Sequence, residues 1–169
     1  DLVHQGKVRY LGCSNYPAWR LCQALWVSDR WGLARYESLQ PHYNLVHRAE
    51  FERELLPLCQ DQGLGVIPYS PLAKGFLTGK YRRGKPLPDT PRASTIKKLY
   101  LSDENFTLLE GLEALGEKWG KTTLQMALGR LLPRPAAGAL GYLAALGSVW
   151  LSPERRLVVE RHLQRIYGG

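Results

Sequence analysis

Long hydrophobic runs are missing from this sequence. No apolar stretch approaches the roughly 20 residues that a membrane-crossing helix needs, so no membrane partner is expected. Cysteine is scarce and odd in number. Cys13, Cys22 and Cys59 are too widely spaced for a CxxC metal site and cannot make a disulfide framework, so a reduced, cytoplasmic setting is the expectation. The first seven residues carry neither a basic n-region nor an apolar h-region, so no signal peptide is expected. The chain also starts without Met, which fits a truncated or excised segment. Acidic residues are the minority charge, 15 against 23 basic ones, for a formal net charge of +8. No basic stripe interleaved with aromatics accompanies that excess, which argues against nucleic acid as the partner. Two readings of the charge stay open: a solvated basic surface, or a surface that attracts an anionic cofactor or substrate.

With 44% hydrophobic and 22% charged residues over 169 positions, the chain reads as one globular domain. Three strand candidates, Val8–Gly12, Tyr36–Gln40 and Gly65–Tyr69, start about 28 residues apart. Helical periodicity fills the intervals. Pro17 suits a helix start, with Trp19, Cys22, Trp26 and Leu33 as the apolar face and the three tryptophans of this region expected to pack inward. Phe51, Leu55, Leu58 and Cys59 make the second apolar face, closed by Gly63. Alternating strands and helices at this spacing predict βαβ units and a parallel sheet. The fold class expected is α/β: a partial (β/α)8 TIM barrel of about three parallel strands plus flanking helices, since a full barrel needs about 250 residues.

Residues 82–101, with Pro86, Pro88 and Pro91, read as a long loop. Ser102 then caps a helix with Asp103 and Glu104 in its first turn and Leu108, Leu109, Leu112 and Leu115 as its apolar face. Thr122 opens another helix, ended by Pro133. Residues 134–151 show no clear period, and Ser152-Pro153-Glu154 starts a last helix toward Tyr167.

The most informative run is Tyr69-Ser70-Pro71-Leu72-Ala73-Lys74-Gly75-Phe76-Leu77-Thr78-Gly79-Lys80-Tyr81, directly after the apolar segment Leu64–Pro68. A strand that ends in a Pro- and Gly-punctuated loop with lysine suits a phosphate-bearing ligand, because backbone N–H groups there can face anionic oxygens.

Gly6–Asn15 resembles the fifth-strand signature of the aldo/keto reductases, Gln40–Leu45 their sixth-strand end, and Tyr69–Tyr81 their seventh-strand end and loop. Thr90–Ser94 and Lys118–Leu128 resemble later parts of the same family, so the match covers about residues 3 to 135. The resemblance implies an NADP(H)-dependent carbonyl reductase whose strands five to seven lie in this chain. It implies that Ser14, Asn15 and Gln40 hydrogen-bond the nicotinamide carboxamide and that Tyr69 stacks on the ring. Ser70, Pro71 and Leu72 would line the pyrophosphate, with Lys80 and Arg92 pairing with it. His42 and His47 read as plain loop residues, and Cys13 as a buried thiol.

The resemblance also implies absences. The family's catalytic Asp, Tyr, Lys and His lie on earlier strands, so no catalytic residue is assigned here. Arg134–Gly138 runs almost directly into Tyr142–Leu146, as if the eighth strand and the adenosine clamp were deleted. The expectation is a weak or partial NADP(H) site in a chain inactive alone. Two alternatives stay open: a non-catalytic association or regulatory module, using unpaired strand edges for self-association or a complementing half-barrel, and a degenerate remnant without function.

Overall fold

The computed structural model describes residues 1–129 and 131. These residues divide into two compact units, one holding Asp1–His42 and Ala49–Tyr69, the other Tyr43–Arg48 and the described residues from Ser70. The expected end of the Thr122 helix at Pro133, the irregular stretch 134–151 and the helix from Ser152 lie outside the described residues.

The first unit is built on a three-stranded parallel sheet in the order β1-β2-β3. Strand β1 is Leu11–Ser14, β2 is Tyr36–Gln40 and β3 is Gly65–Val66. Helix α1, Ala18–Trp31, joins β1 to β2, and a π-turn at Phe51–Leu55 runs into α2, Leu56–Gln62, before β3. The βαβαβ arrangement agrees with the expected α/β class.

Two strands differ from their expected limits. β1 begins three residues late: Val8, Arg9 and Tyr10 precede the ladder, whose register slips between Leu11 and Gly12, and the Val8 N–H donates instead to the Leu2 carbonyl at 3.3 Å. β3 is two residues instead of five. Pro68 has no N–H to donate, which ends the ladder. Tyr69 rejoins it through a single parallel bridge to His42, with the Tyr69 N–H donating to the Pro41 carbonyl at 3.0 Å.

The expected inner face of α1 is also corrected. Leu21 and Leu25 are the buried pair, while Trp19, Trp26 and Trp31 are 67%, 58% and 68% exposed, and Cys22 and Leu33 are exposed as well. At 100° per residue the expected stripe and the buried one sit roughly 110° apart on the same helix, so both obey helical spacing and periodicity does not choose between them. The indoles are tolerated outside partly because the Arg30 guanidinium lies 5.3 Å from the Trp26 ring and 5.9 Å from the Trp31 ring.

Between β2 and β3 the expected apolar face holds. Phe51, Leu55 and Cys59 are buried, Leu58 is half-buried, and Leu56 joins them. The Leu56 N–H reaches back five residues to the Phe51 carbonyl. This widened turn comes just before Pro57, whose ring would crowd the carbonyl four residues back in a regular helix. Gly63 closes α2 at φ 64°, as expected of a C-terminal glycine.

The second unit consists of 3-10 turns at Ala73–Thr78 followed by α3, Ala93–Leu99, α4, Asp103–Trp119, and α5, Thr123–Gly129. Its core is Ala73, Phe76, Leu77, Tyr81, Ile96, Tyr100, Leu109 and Ala127. The Phe76 ring lies at its middle, 5.8 to 6.1 Å from the rings of Phe106, Tyr81 and Tyr100. Residues 82–101 thus hold α3 within what reads as loop. Its two turns are too short for a periodic signal, and Ile96 and Tyr100 anchor it in the core.

Ser102 caps α4 as expected, its hydroxyl accepting from the Asn105 N–H at 3.3 Å. Leu109 is buried and Leu108 and Leu112 pack on the core, but Leu115 is exposed and Gly116 takes the inner position. Thr122 and Gln125 form a reciprocal capping box at the start of α5.

Candidate cofactor half-sites

In the first unit the expected nicotinamide residues meet at the C-terminal ends of the strands. Ser14 and Gln40 are register partners on β1 and β2, and the Ser14 hydroxyl donates to the Gln40 carbonyl at 2.9 Å. The Asn15 N–H donates to the same carbonyl at 3.4 Å, with Asn15 itself in the left-handed region at φ 56°. This backbone conformation costs on the order of 1 kcal/mol or more for a residue with a side chain. The side-chain amides of Asn15 and Gln40 are exposed and have no hydrogen-bond partner among the described residues. Tyr69 is half-buried, and the His42 ring is stacked on it at 5.1 Å between centroids and 13° between planes. Beside this cluster, burial pushes the Cys13 thiol up from its ordinary value. The fully buried Cys59 is pushed up further, to about 12.

In the second unit Ser70, Pro71 and Leu72 are half-buried and open a strained loop. Ser70, Ala73 and Lys74 have φ of 53°, 50° and 55°, and Gly75 follows at 105°. Such a cluster of left-handed residues turns backbone N–H groups in unusual directions, the property that makes loops of this kind anion-binding. Asn44 holds the loop's start. Fully buried, it donates through Nδ2 to the Ser70 carbonyl at 3.0 Å, while its Oδ1 accepts from the Val46 and His47 N–H groups at 3.1 and 3.0 Å.

The basic residues beyond the loop fall into two groups. Arg82 pairs with Glu113, and Arg83 with Asp103 and Glu110, which hold its pKa above the ordinary value. Lys80 and Arg92 are exposed and have no acidic partner among the described residues; the Lys80 ammonium lies 5.4 Å from the Tyr81 ring.

Sequence reading missed His42 and Asn44. A buried Asn two residues beyond a Pro-His step has a local signal, the Asx turn it makes with Val46 and His47. The His42 stack has none, because its partner lies 27 positions away. A cavity of about 350 Å³ in the first unit, lined among others by Tyr16, Arg20, Val27 and Tyr36, contains none of the expected cofactor residues. In the first unit, uncommitted amides and an aromatic ring suit a nicotinamide; in the second, left-handed backbone and unneutralised cations suit a pyrophosphate, so each set fits its own part of a nicotinamide dinucleotide.

A parallel βαβαβ sheet with polar residues at the C-terminal ends of its strands suits part of a (β/α)8 barrel, where such ends carry the site. The profile of the Aldo/keto reductase family matches residues 1–140, and the chain belongs to that family. It is 32% identical over 138 residues to a versiconal hemiacetal acetate reductase from Aspergillus parasiticus, covering 80% of this chain and 40% of that one. It is 32% identical over 182 residues to an aldo-keto reductase from Fusarium vanettenii, covering 100% of this chain and 48% of that one. In three dimensions it is similar to a glycerol dehydrogenase from Gluconobacter oxydans, with a TM-score of 0.59, 24% identity and coverage of 99% of this chain and 53% of that one. The chain therefore spans about half the length of the relatives it matches. The family's chemistry is oxidoreduction with nicotinamide cofactors. No described helix is long and apolar enough to cross a membrane.

Proposed function

We propose that this chain supplies the nicotinamide and pyrophosphate contacts of an NADP(H)-dependent carbonyl reductase and turns over no substrate by itself. Ser14, Asn15 and Gln40 would take the carboxamide, and Tyr69 the ring face. Ser70, Pro71 and Leu72 would meet the pyrophosphate through backbone and shape, and Lys80 and Arg92 through charge. When bound, the cofactor supplies a hydride. These residues would orient its ring and neutralise its phosphates, and the proton-donating Tyr that the family resemblance implies is not among them. The observation that carries this reading is the pair of uncommitted side-chain amides, Asn15 and Gln40, at adjacent strand ends, with the half-buried Tyr69 following the third strand. The three free cysteines accord with a reducing, cytoplasmic setting.

A titration of the 169-residue chain with NADPH, followed by tryptophan fluorescence, tests it. Saturable binding is expected. Lys80→Ala and Arg92→Ala should each weaken it about fivefold, the effect of losing about 1 kcal/mol from an exposed charge-assisted contact. A folded chain that ignores millimolar NADPH would sink the proposal. An association role is the second reading, favoured by the exposed tryptophans of α1 and by β1 lying at the edge of the sheet.

A further inference from the structure

We propose that His42 is a positioning residue for the nicotinamide ring, acting through Tyr69. The inference rests on the cofactor reading above and adds a residue to it.

The two rings come from the segments that follow the adjacent parallel strands β2 and β3. His42 and Tyr69 are bridge partners, and the Tyr69 N–H is bonded to the Pro41 carbonyl one residue before His42. Their backbones are therefore locked together at the point where both side chains leave the sheet. The rings are nearly parallel at 13° and 5.1 Å apart, the offset stacking that aromatic rings prefer. One face of Tyr69 is thus covered by His42, so a nicotinamide ring would have to take the opposite one.

A tyrosine at a strand end has rotamer freedom that a ligand must otherwise remove on binding. Stacking on His42 removes it beforehand and fixes the plane on which the ligand ring must lie. His42 also follows Gln40 by two positions, so in extended chain both side chains emerge on one face. The backed ring and the free Gln40 amide are presented side by side, as a ring bearing a carboxamide would require. Pro41 between them is buried and restricts the chain to this extended path.

The test compares two ligands on the full chain: NADPH, and 2′-phospho-ADP-ribose, which lacks only the nicotinamide. His42→Ala is expected to weaken NADPH about five- to tenfold and to leave 2′-phospho-ADP-ribose unchanged, and His42→Phe to recover NADPH binding. His42→Gln, which keeps size and polarity without a ring, should match the alanine variant and serves if that variant does not fold. Equal loss for both ligands, no loss, or tighter NADPH binding in His42→Ala would overturn the inference and leave the cofactor reading standing. A wild-type chain that binds the two ligands equally tightly would also overturn it, because the ring would then contribute nothing. A wild-type chain that binds neither would overturn both.

Discussion

At the scale of single residues, environment separates side chains that composition treats alike. Cys22 is exposed, whereas Cys13 and Cys59 are buried and their thiols are pushed up, Cys59 to about 12. The thiolate is the reactive form. At pH 8 an aromatic disulfide reagent should therefore label one cysteine rapidly and the other two only after denaturant is added. Cys22→Ser should remove the fast phase, and two fast thiols in the native chain would contradict the burial described here. The same contrast runs through the basic residues, where Arg82 and Arg83 are spent on Glu113, Asp103 and Glu110 while Lys80 and Arg92 have no acid beside them. Lysine and arginine content could not show this, since pairing depends on carboxylates 20 to 31 positions further along the chain.

At the scale of elements, most starts and stops were legible. Ser102 before Asp103 and Glu104, Thr122 before Gln125, Pro17 before α1 and Gly63 after α2 all mark the boundaries found, because a cap is a local hydrogen-bond or φ requirement. What was not legible is which side of an element faces inward. In α4 that side includes Gly116, where an added Cβ would lie 2.5 Å from the Lys121 carbonyl oxygen at the turn into α5. Backbone cannot yield as a flexible side chain can. Gly116→Ala should therefore destabilise the chain by about 2 kcal/mol or more despite alanine's better helix propensity. Thermal unfolding checks this, with Gly111→Ala on the same helix as the control, since that position is open and should be neutral or slightly stabilising.

At the scale of the whole molecule, the described residues expose both strand backbone and large aromatic side chains. Among the described residues, strand β1 is at the edge of its sheet, and Trp19, Trp26 and Trp31 are exposed on one helix. Exposed edges and large aromatics favour association, while a net charge of +8 opposes it by self-repulsion. If the apolar surface wins, light scattering over a dilution series should show dimers or larger species at micromolar concentration. Trp19→Lys with Trp26→Lys should then shift the population toward monomer by about tenfold in dissociation constant. A wild-type chain that stays monomeric throughout would remove the association reading and leave the cofactor proposal untouched.

Sequence by itself determined the α/β class, the alternation of the three strands with their two connecting helices, the helices after Ser102 and Thr122, and the family. Each of these rests on local requirements such as caps, turns and period, or on motifs contiguous along the chain. Tertiary structure alone decided that Leu21 and Leu25, and not the tryptophans, are the inner face of α1, that Asn44 holds Ser70, and that His42 backs Tyr69. Those outcomes depend on pairs 26 and 27 positions apart, or on a choice between two equally spaced stripes. No local preference encodes either one, and strand register and packing settle them when the elements are brought together.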